Sequence, residues 1–498
     1  MSVTVAARTA ERSVPAPRVA TLTLAITETR ILVRSVTLWA SALVTVALGT
    51  VWGWTRMPTW DTIGDNAGMA AVVLAGVLLV LGHLAVSRDH RNGVVEATMV
   101  LPAERARRTI ALLVFIPVAG LLGALVLGAQ LALLLPDVPA GTFDGWNLAP
   151  VVLIPPIGAA LGVAVGRWLP AIAAGPLTVV TSAVAVIVLP GVGTGGSDVG
   201  RWLSPVLLRQ NWAPGAPEPT GWHAAYLLAL LAVVVAVAVA RYRMVVSTVV
   251  AVVAVALGAV AVPQQMRHRT GSSSLPITEA MMDDYVGPAV LRCEEHEAVR
   301  YCALPGYQRW IPLWRDAVEP VARAVPAGVA GVLPVVRQRD TAYFAPSATA
   351  QTPTVDTDLV WGRHGTWAAQ SRLDLVQRYV RALTALPKPT ADDPYGEQSC
   401  SGAGQLRTVV ALWLIAQAVP DGRTVLDGNQ ARLGRLTAGP AEIAAAVTLL
   451  DQPRERVTAI LAAHWDAVIS AAPVGDTLEP LGVRGLAAVG AEQATPCR

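Results

Sequence analysis

Lysine is all but absent from this chain. Of 38 basic side chains only Lys388 is a lysine, and a phosphate-binding P-loop needs one to reach the β- and γ-phosphates. Lys388 stands in LPKPT, far from any such loop, so ATP hydrolysis by that route is excluded. Charge is scarce altogether at 15% of residues, and no Asp or Glu interrupts any of the apolar runs between residues 35 and 262. Ion-coupled carriers use a carboxylate within the membrane to bind and release a proton or cation, so secondary transport is disfavoured. Metal and hydrolase motifs are missing as well. No Cys-x-x-Cys or Cys-x-x-His pair is present for zinc. His296-Glu297 opens like a zinc-peptidase helix, but Arg300 stands where the second His is required. The SCSGAG stretch at 399–404 lacks the Gly-x-Ser-x-Gly spacing of a nucleophile elbow, and His364 and His464 are isolated. No catalysis, metal, cofactor or nucleic-acid partner is therefore expected of this chain.

What is present is hydrophobic. Hydrophobic residues make up 53% of the chain, mean hydropathy is +0.50, and the excess lies before residue 262. Seven runs, at 35–54, 67–86, 109–135, 148–166, 169–190, 222–240 and 244–262, approach or exceed the roughly 20 residues that cross about 30 Å of hydrocarbon. Backbone groups in lipid must pair within their own segment, so these runs are read as helices. The expected fold is a polytopic α-helical membrane protein with a disulfide-containing, mainly helical α+β extracytoplasmic domain. Its parts are a cytoplasmic N-terminus with an interfacial helix (1–34), a transmembrane region (35–262) and the outer domain (263–498). Residues 1–21 lack an apolar core, so no cleavable signal is expected.

Arginine placement orients the runs, since basic residues are retained in cytoplasmic loops. With the N-terminus inside, the cytoplasmic segments hold Arg8, Arg12, Arg18, Arg30, Arg34, Arg88, Arg91, Arg105, Arg107, Arg108, Arg167, Arg241 and Arg243, against Arg56, Arg201 and Arg209 outside. All four cysteines, Cys293, Cys302, Cys400 and Cys497, follow the last run, as expected for an oxidising compartment. Four cysteines permit three connectivities. VLRCEEHEAVRYCAL reads as two short strands around a polar turn, which favours Cys293 with Cys302 and leaves Cys400 with Cys497. Further helical patterns lie at 312–325, 366–386, 404–418 and 439–471, and a second strand-like stretch at 331–345. Trp361, Trp367, Trp413 and Trp465 are read as core.

Within the runs, Gln130 is read as a helix-to-helix hydrogen bond and His83 as interfacial. Pro117, Pro155 and Pro156 are read as kinks, and Gly120, Gly123, Gly158 and Gly162 as sites of close helix packing. The loop SRDHRNGVVEATMVLPAERARRTIALL is longer than a turn requires. Its apolar Val94, Val95, Met99 and Val100 suit one face of a short amphipathic helix, with Glu96 on the other, ending at Pro102.

The series Asp89, His90, Arg91, Gly93, Glu96, Pro102, Arg105 resembles the loop between spans two and three in type-2 ABC exporter permeases. The interfacial lead-in ending at Arg34, the GRWLP turn at Gly166 to Pro170 and the RWLSPVLL segment are similar too. The resemblance covers about residues 20–245. It implies that Asp89, Arg91, Gly93, Glu96, Pro102 and Arg105 form a loop contacted by a separate cytoplasmic ATPase subunit. It also implies two permease chains, alike or paired, lining the path, and a partner that binds the ATP. Asp89 stands where the family has Glu, and the family's six spans gain a seventh here. The 37 arginines to one lysine suggest a high-GC, actinobacterial-like source in whose cell membrane the chain would sit. The alternative reading is a membrane-anchored extracytoplasmic binding or sensor protein.

Overall fold

A computed structural model describes residues 17–93, 105–189, 199–207, 219–267, 289–328, 333–339, 353–386, 404–427, 433, 438–470, 472–475, 477–484 and 486. Among the described residues ten α-helices precede residue 268: α1 (Pro17–Val33), α2 (Val36–Trp54), α3 (Trp60–Arg91), α4 (Arg105–Leu113), α5 (Phe115–Leu134), α6 (Ala149–Trp168), α7 (Ala174–Val188), α8 (Val199–Leu203), α9 (Thr220–Ala240) and α10 (Met244–Arg267). Among the described residues six helical stretches are long and apolar enough to cross a membrane: Val36–Trp54, Trp60–Arg91, Arg107–Leu134, Gly145–Trp168, Thr220–Ala240 and Met244–Met266.

Two apolar runs are redrawn. The one at 67–86 lies inside α3, whose 32 residues extend about 48 Å at 1.5 Å per residue. Thr59 caps its first turn by accepting from the Thr62 backbone N–H, so the polar Asp61, Asp65 and Asn66 are helical although hydropathy passes over them. The run at 169–190 becomes α7, with 15 residues, because Leu169–Ala173 forms the turn out of α6. Alone, α7 reaches about 22 Å.

The most extensive helix contact is α3 on α6. A Cβ at Gly158 would fall on the Ala75 carbonyl and one at Gly162 on the Leu79 carbonyl, so the two backbones touch where these glycines stand. Around this axis, α2 packs on α3, α5 on α2 and α6, and α9 on α6, while α10 lies outermost against α9. Gln130 donates through Nε2 to the Thr45 carbonyl at 3.0 Å, the expected bond between helices. His83 packs against the turn that follows α6. It is fully buried, with Nε2 3.1 Å from the Ala171 carbonyl oxygen, because the turn into α7 folds over it. Pro117 lies in the first turn of α5, where its missing N–H costs no helix bond. Pro155 and Pro156 lie inside α6.

After residue 288 the chain forms β1 (Arg292–His296), β2 (Val299–Ala303), α11 (Ile311–Ala324), β3 (Val335–Gln338), β4 (Thr354–Thr357), α12 (Gly365–Leu383), α13 (Leu406–Gln417), α14 (Gly422–Asp427), α15 (Pro440–Leu450) and α16 (Arg454–Ala463). The sheet order is β1-β2-β3-β4. β1 pairs antiparallel with β2, and β2, β3 and β4 run parallel. The expected hairpin is present: Cys293 faces Cys302 across the ladder, and the two are bonded. Cys400 and Cys497 lie outside the described residues. Strand β4 was not foreseen, and the stretch at 331–345 contributes a strand over Val335–Gln338. Trp310, Trp314, Trp361, Trp413 and Trp465 are buried in one core with α11, α12, α13 and α15, whereas Trp367 is 58% exposed, contrary to its reading as core.

Two outcomes follow. Gly162→Val destabilises by about 1–3 kcal/mol through overpacking, seen as a lowered thermal midpoint in detergent; an unchanged midpoint would deny the contact. Replacing Cys293 and Cys302 by Ser opens a loop of separation 9 and lowers the stability of the disulfide-bearing unit by about 2–3 kcal/mol, measured by denaturant titration.

Candidate functional site

The bundle has two chemically different ends. At one, α3 runs on to Arg91 and stops as Asn92 donates to the Arg88 carbonyl and Gly93 takes φ +67, a conformation glycine adopts freely. Arg88, His90 and Arg91 in the last turn complement the negative end of the helix dipole. Arg88 reaches Glu28 of α1 at 3.4 Å, and Asp89 meets Arg108 of α4 at 3.1 Å. α1 lies along α4. Ala25 and Leu32 are its buried residues, while Val19, Leu22 and Ile26 form an exposed apolar stripe at i, i+3 and i+7. Three helices are thereby braced around the point where the chain leaves at Gly93 and returns at Arg105.

Of the six residues expected in the docking loop, Asp89 is tied to α4, Arg91 is exposed in the last turn of α3 and Gly93 closes the helix. Arg105 begins α4. Glu96 and Pro102, with the amphipathic helix expected around them, lie outside the described residues. The role of Glu28 was missed. Its partner lies 60 residues away, and no periodicity links positions so far apart.

At the other end the disulfide-bearing unit that follows residue 288 is fastened to the bundle. Met57 N–H donates to the Trp361 carbonyl at 2.7 Å, Arg363 N–H to Thr55 at 3.0 Å, and Gly141 N–H to Gly306 at 3.1 Å. The Arg363 side chain, 3% exposed, donates through Nε to Asp137 Oδ2 at 2.5 Å and lies 4.6 Å from the centroid of the Trp54 ring. His364 Nε2 is 4.0 Å from the same carboxylate. Ala140 belongs to the core of the soluble unit. The loops after α2 and after α5 are thus held by the segments that follow the carboxyl ends of β2 and β4, the edge at which parallel sheets present their loops.

Little here suits chemistry. His296 ends β1 and Glu297 occupies the hairpin turn at φ +52, so the pair lies on no helix. Among the described residues no group of three His, Cys, Asp or Glu stands close enough to hold a metal. A cavity of about 740 Å³ in the soluble unit is lined largely by Pro326, Pro353, Leu383, Trp465 and Ile469, with His464 and Asp466 its titratable side chains.

No known family model matches this chain, and no curated protein matches it.

Asp137→Asn leaves the Arg363 guanidinium without its counter-charge. Breaking a buried pair costs about 3–5 kcal/mol, and the partial exposure of Asp137 lowers the expectation to about 2 kcal/mol. Faster hydrogen exchange at 55–59 and 361–364 is the expected readout; unchanged exchange would rule the joint out as a fastening.

Proposed function

We propose that the chain is the membrane-spanning permease subunit of an ABC-type exporter, energised by a separate cytoplasmic ATPase that docks on the segment between α3 and α4. The observation that carries this reading is the braced end of α3. A helix of 32 residues outruns about 30 Å of hydrocarbon, and its last turns are tied to α1 and α4 by Arg88–Glu28 and Asp89–Arg108. A helix that only tethers an outer domain has no use for such a platform. The ATP belongs to the partner, since the chain's one lysine sits in no P-loop. Two permease chains, alike or paired, would line the path, and the exposed stripe of α1 would rest on the bilayer interface.

In this reading the arginine-rich end is cytoplasmic and the disulfide-bearing unit extracytoplasmic, where Cys293–Cys302 persists. The chain crosses seven times, by α2, α3, α5, α6, α7, α9 and α10. Support for α7 as a crossing comes from its neighbours: Gly175 stands against His83 near one end, and Trp202 of α8 packs with Val262 and Met266 near the other. The cell membrane of a bacterium is the proposed location. The alternative, a membrane-anchored binding or sensor protein, draws on the 740 Å³ cavity, but the soluble unit is fastened to two loops of the bundle rather than hung from one helix.

Purified from native membranes, the chain is expected to bring an ATPase with it, and Glu96→Ala with Asp89→Arg to reduce the retained ATPase at least about tenfold, a loss of one strong charge-assisted contact. Full retention would sink the coupling reading. Orientation is checked separately. A reporter enzyme that works only outside the cytoplasm should be active when fused after Arg267 and silent after Asn92; the reverse pattern would invert the topology.

A further inference from the structure

Among the described residues after 288, three large apolar side chains are exposed: Val360 at 42%, Trp367 at 58% and Ile469 at 36%. The first two fall in the segment that leads from β4 into the first turn of α12, and this segment is the one fastened to the end of α2. Arg56 bridges Gly362 in antiparallel pairing, flanked by the bonds from Met57 N–H to Trp361 and from Arg363 N–H to Thr55. Gly362 carries the contact on to Trp367: a Cβ on this glycine would fall on the Trp367 carbonyl, so the two backbones touch. His364, the N-cap of α12, lies beside the end of α2 as well, with its ring centroid 5.8 Å from that of Trp54. Trp367 stands at the N3 position, which faces the N-cap across the first helical turn.

These contacts fix the depth of Trp367. The 19 residues of α2 extend about 28 Å, close to the thickness of the hydrocarbon, so Trp54 at its end marks the edge of that layer. Arg56 stands two residues farther on, a reach of at most about 7 Å. The interfacial layer between hydrocarbon and bulk water is itself about 5–8 Å thick on each side, so the Arg56–Gly362 bridge and the tryptophan packed on it lie at headgroup height. The same end of the bundle exposes Trp52, Trp54, Phe143, Trp146 and Trp222, the aromatic belt that membrane proteins place at this level. Trp367 continues the belt from outside the bundle. Tryptophan suits such a place because its ring is apolar while its N–H finds an acceptor among the headgroups. A protein partner is the poorer fit. One tryptophan buries at most about 250 Å², a fraction of the roughly 800 Å² per side that a stable protein interface needs. The exposed residues around it in sequence, His364, Gly365, Thr366, Ala369 and Gln370, are small or polar.

We propose that Trp367 inserts into the lipid headgroup layer, so that the disulfide-bearing unit rests on the bilayer surface beside α2. The unit then has a hold on lipid in addition to its backbone bonds and the Arg363–Asp137 pair. The proposal rests on the reading of the chain as membrane-spanning.

The test incorporates fluorotryptophan into the full chain and reads the fluorine resonances in phosphatidylcholine nanodiscs. The Trp367 resonance is the one missing from both Trp367→Phe and Trp367→Tyr, two substitutions at an exposed position. It should be lost to broadening when the lipid carries a nitroxide near the top of its acyl chain, and should survive a water-soluble gadolinium chelate. Loss to the chelate, with or without loss to the nitroxide, places the ring in water and overturns the proposal. Survival under both agents places it beneath protein, a partner or a second copy of the chain, and overturns it as well. Release of the chain from native membranes by alkaline carbonate would instead sink the spanning reading, a failure distinct from a water-exposed or protein-covered Trp367.

Discussion

Backbone contact between α3 and α6 at Gly158 and Gly162 is the constraint on which the rest of the bundle depends. Between lipid-facing helices there is no hydrophobic driving force, so close packing supplies the attraction, and only residues without a side chain let the backbones meet. With α6 seated there, α3 becomes the post around which α2, α5 and α7 are arranged. Its length then carries the order of the bundle out to Arg88 and Asp89, where two ion pairs extend it to α1 and α4. Larger side chains at the two glycines would therefore disturb the ion-paired end of α3 as well as the local contact.

The same post supports opposite chemistry at its two ends. At Arg91 it ends among basic side chains; at Trp60 it begins between loops that hydrogen-bond to the soluble unit. The apolar middle separates them with few polar groups, and these are spent on holding helices together, as Gln130 does with Thr45. In the proposed permease the coupling of partner to path would run along packed helices rather than through buried charge.

Hydropathy made most of the helices legible, because side chains facing lipid and side chains facing other helices are both apolar. It failed where that signal stops. The first two turns of α3 carry Asp61, Asp65 and Asn66, so the helix looked shorter than it is. The run that became α7 looked longer, because the apolar turn after α6 cannot be told from helix by composition. The hairpin at Cys293 and Cys302 was readable because it is local. Strand β4 has only four residues, Thr354–Thr357, with little apolar content. Of the candidate site, Asp89 lies in the last turn of α3, Gly93 just past its end and Arg105 at the start of α4, positions that hydropathy alone left in the loop. Glu28–Arg88 and Asp137–Arg363 join residues 60 and 226 positions apart, and such pairs exist only once packing has brought them together. Trp367 and His83 show the same dependence in single residues: their burial was decided by neighbours, not by residue type.

The soluble unit holds the loop after α2 through Met57 and Thr55, and the loop after α5 through Gly141 and Asp137. Those loops also meet each other directly: Trp60 N–H donates to the Ala140 carbonyl and Ala140 N–H to the Pro58 carbonyl, both at 3.0 Å. The tops of the α2–α3 and α5–α6 hairpins are therefore stitched together and then clamped by one folded body, so neither hairpin can shift at that end without bending its loop or breaking backbone hydrogen bonds to the other.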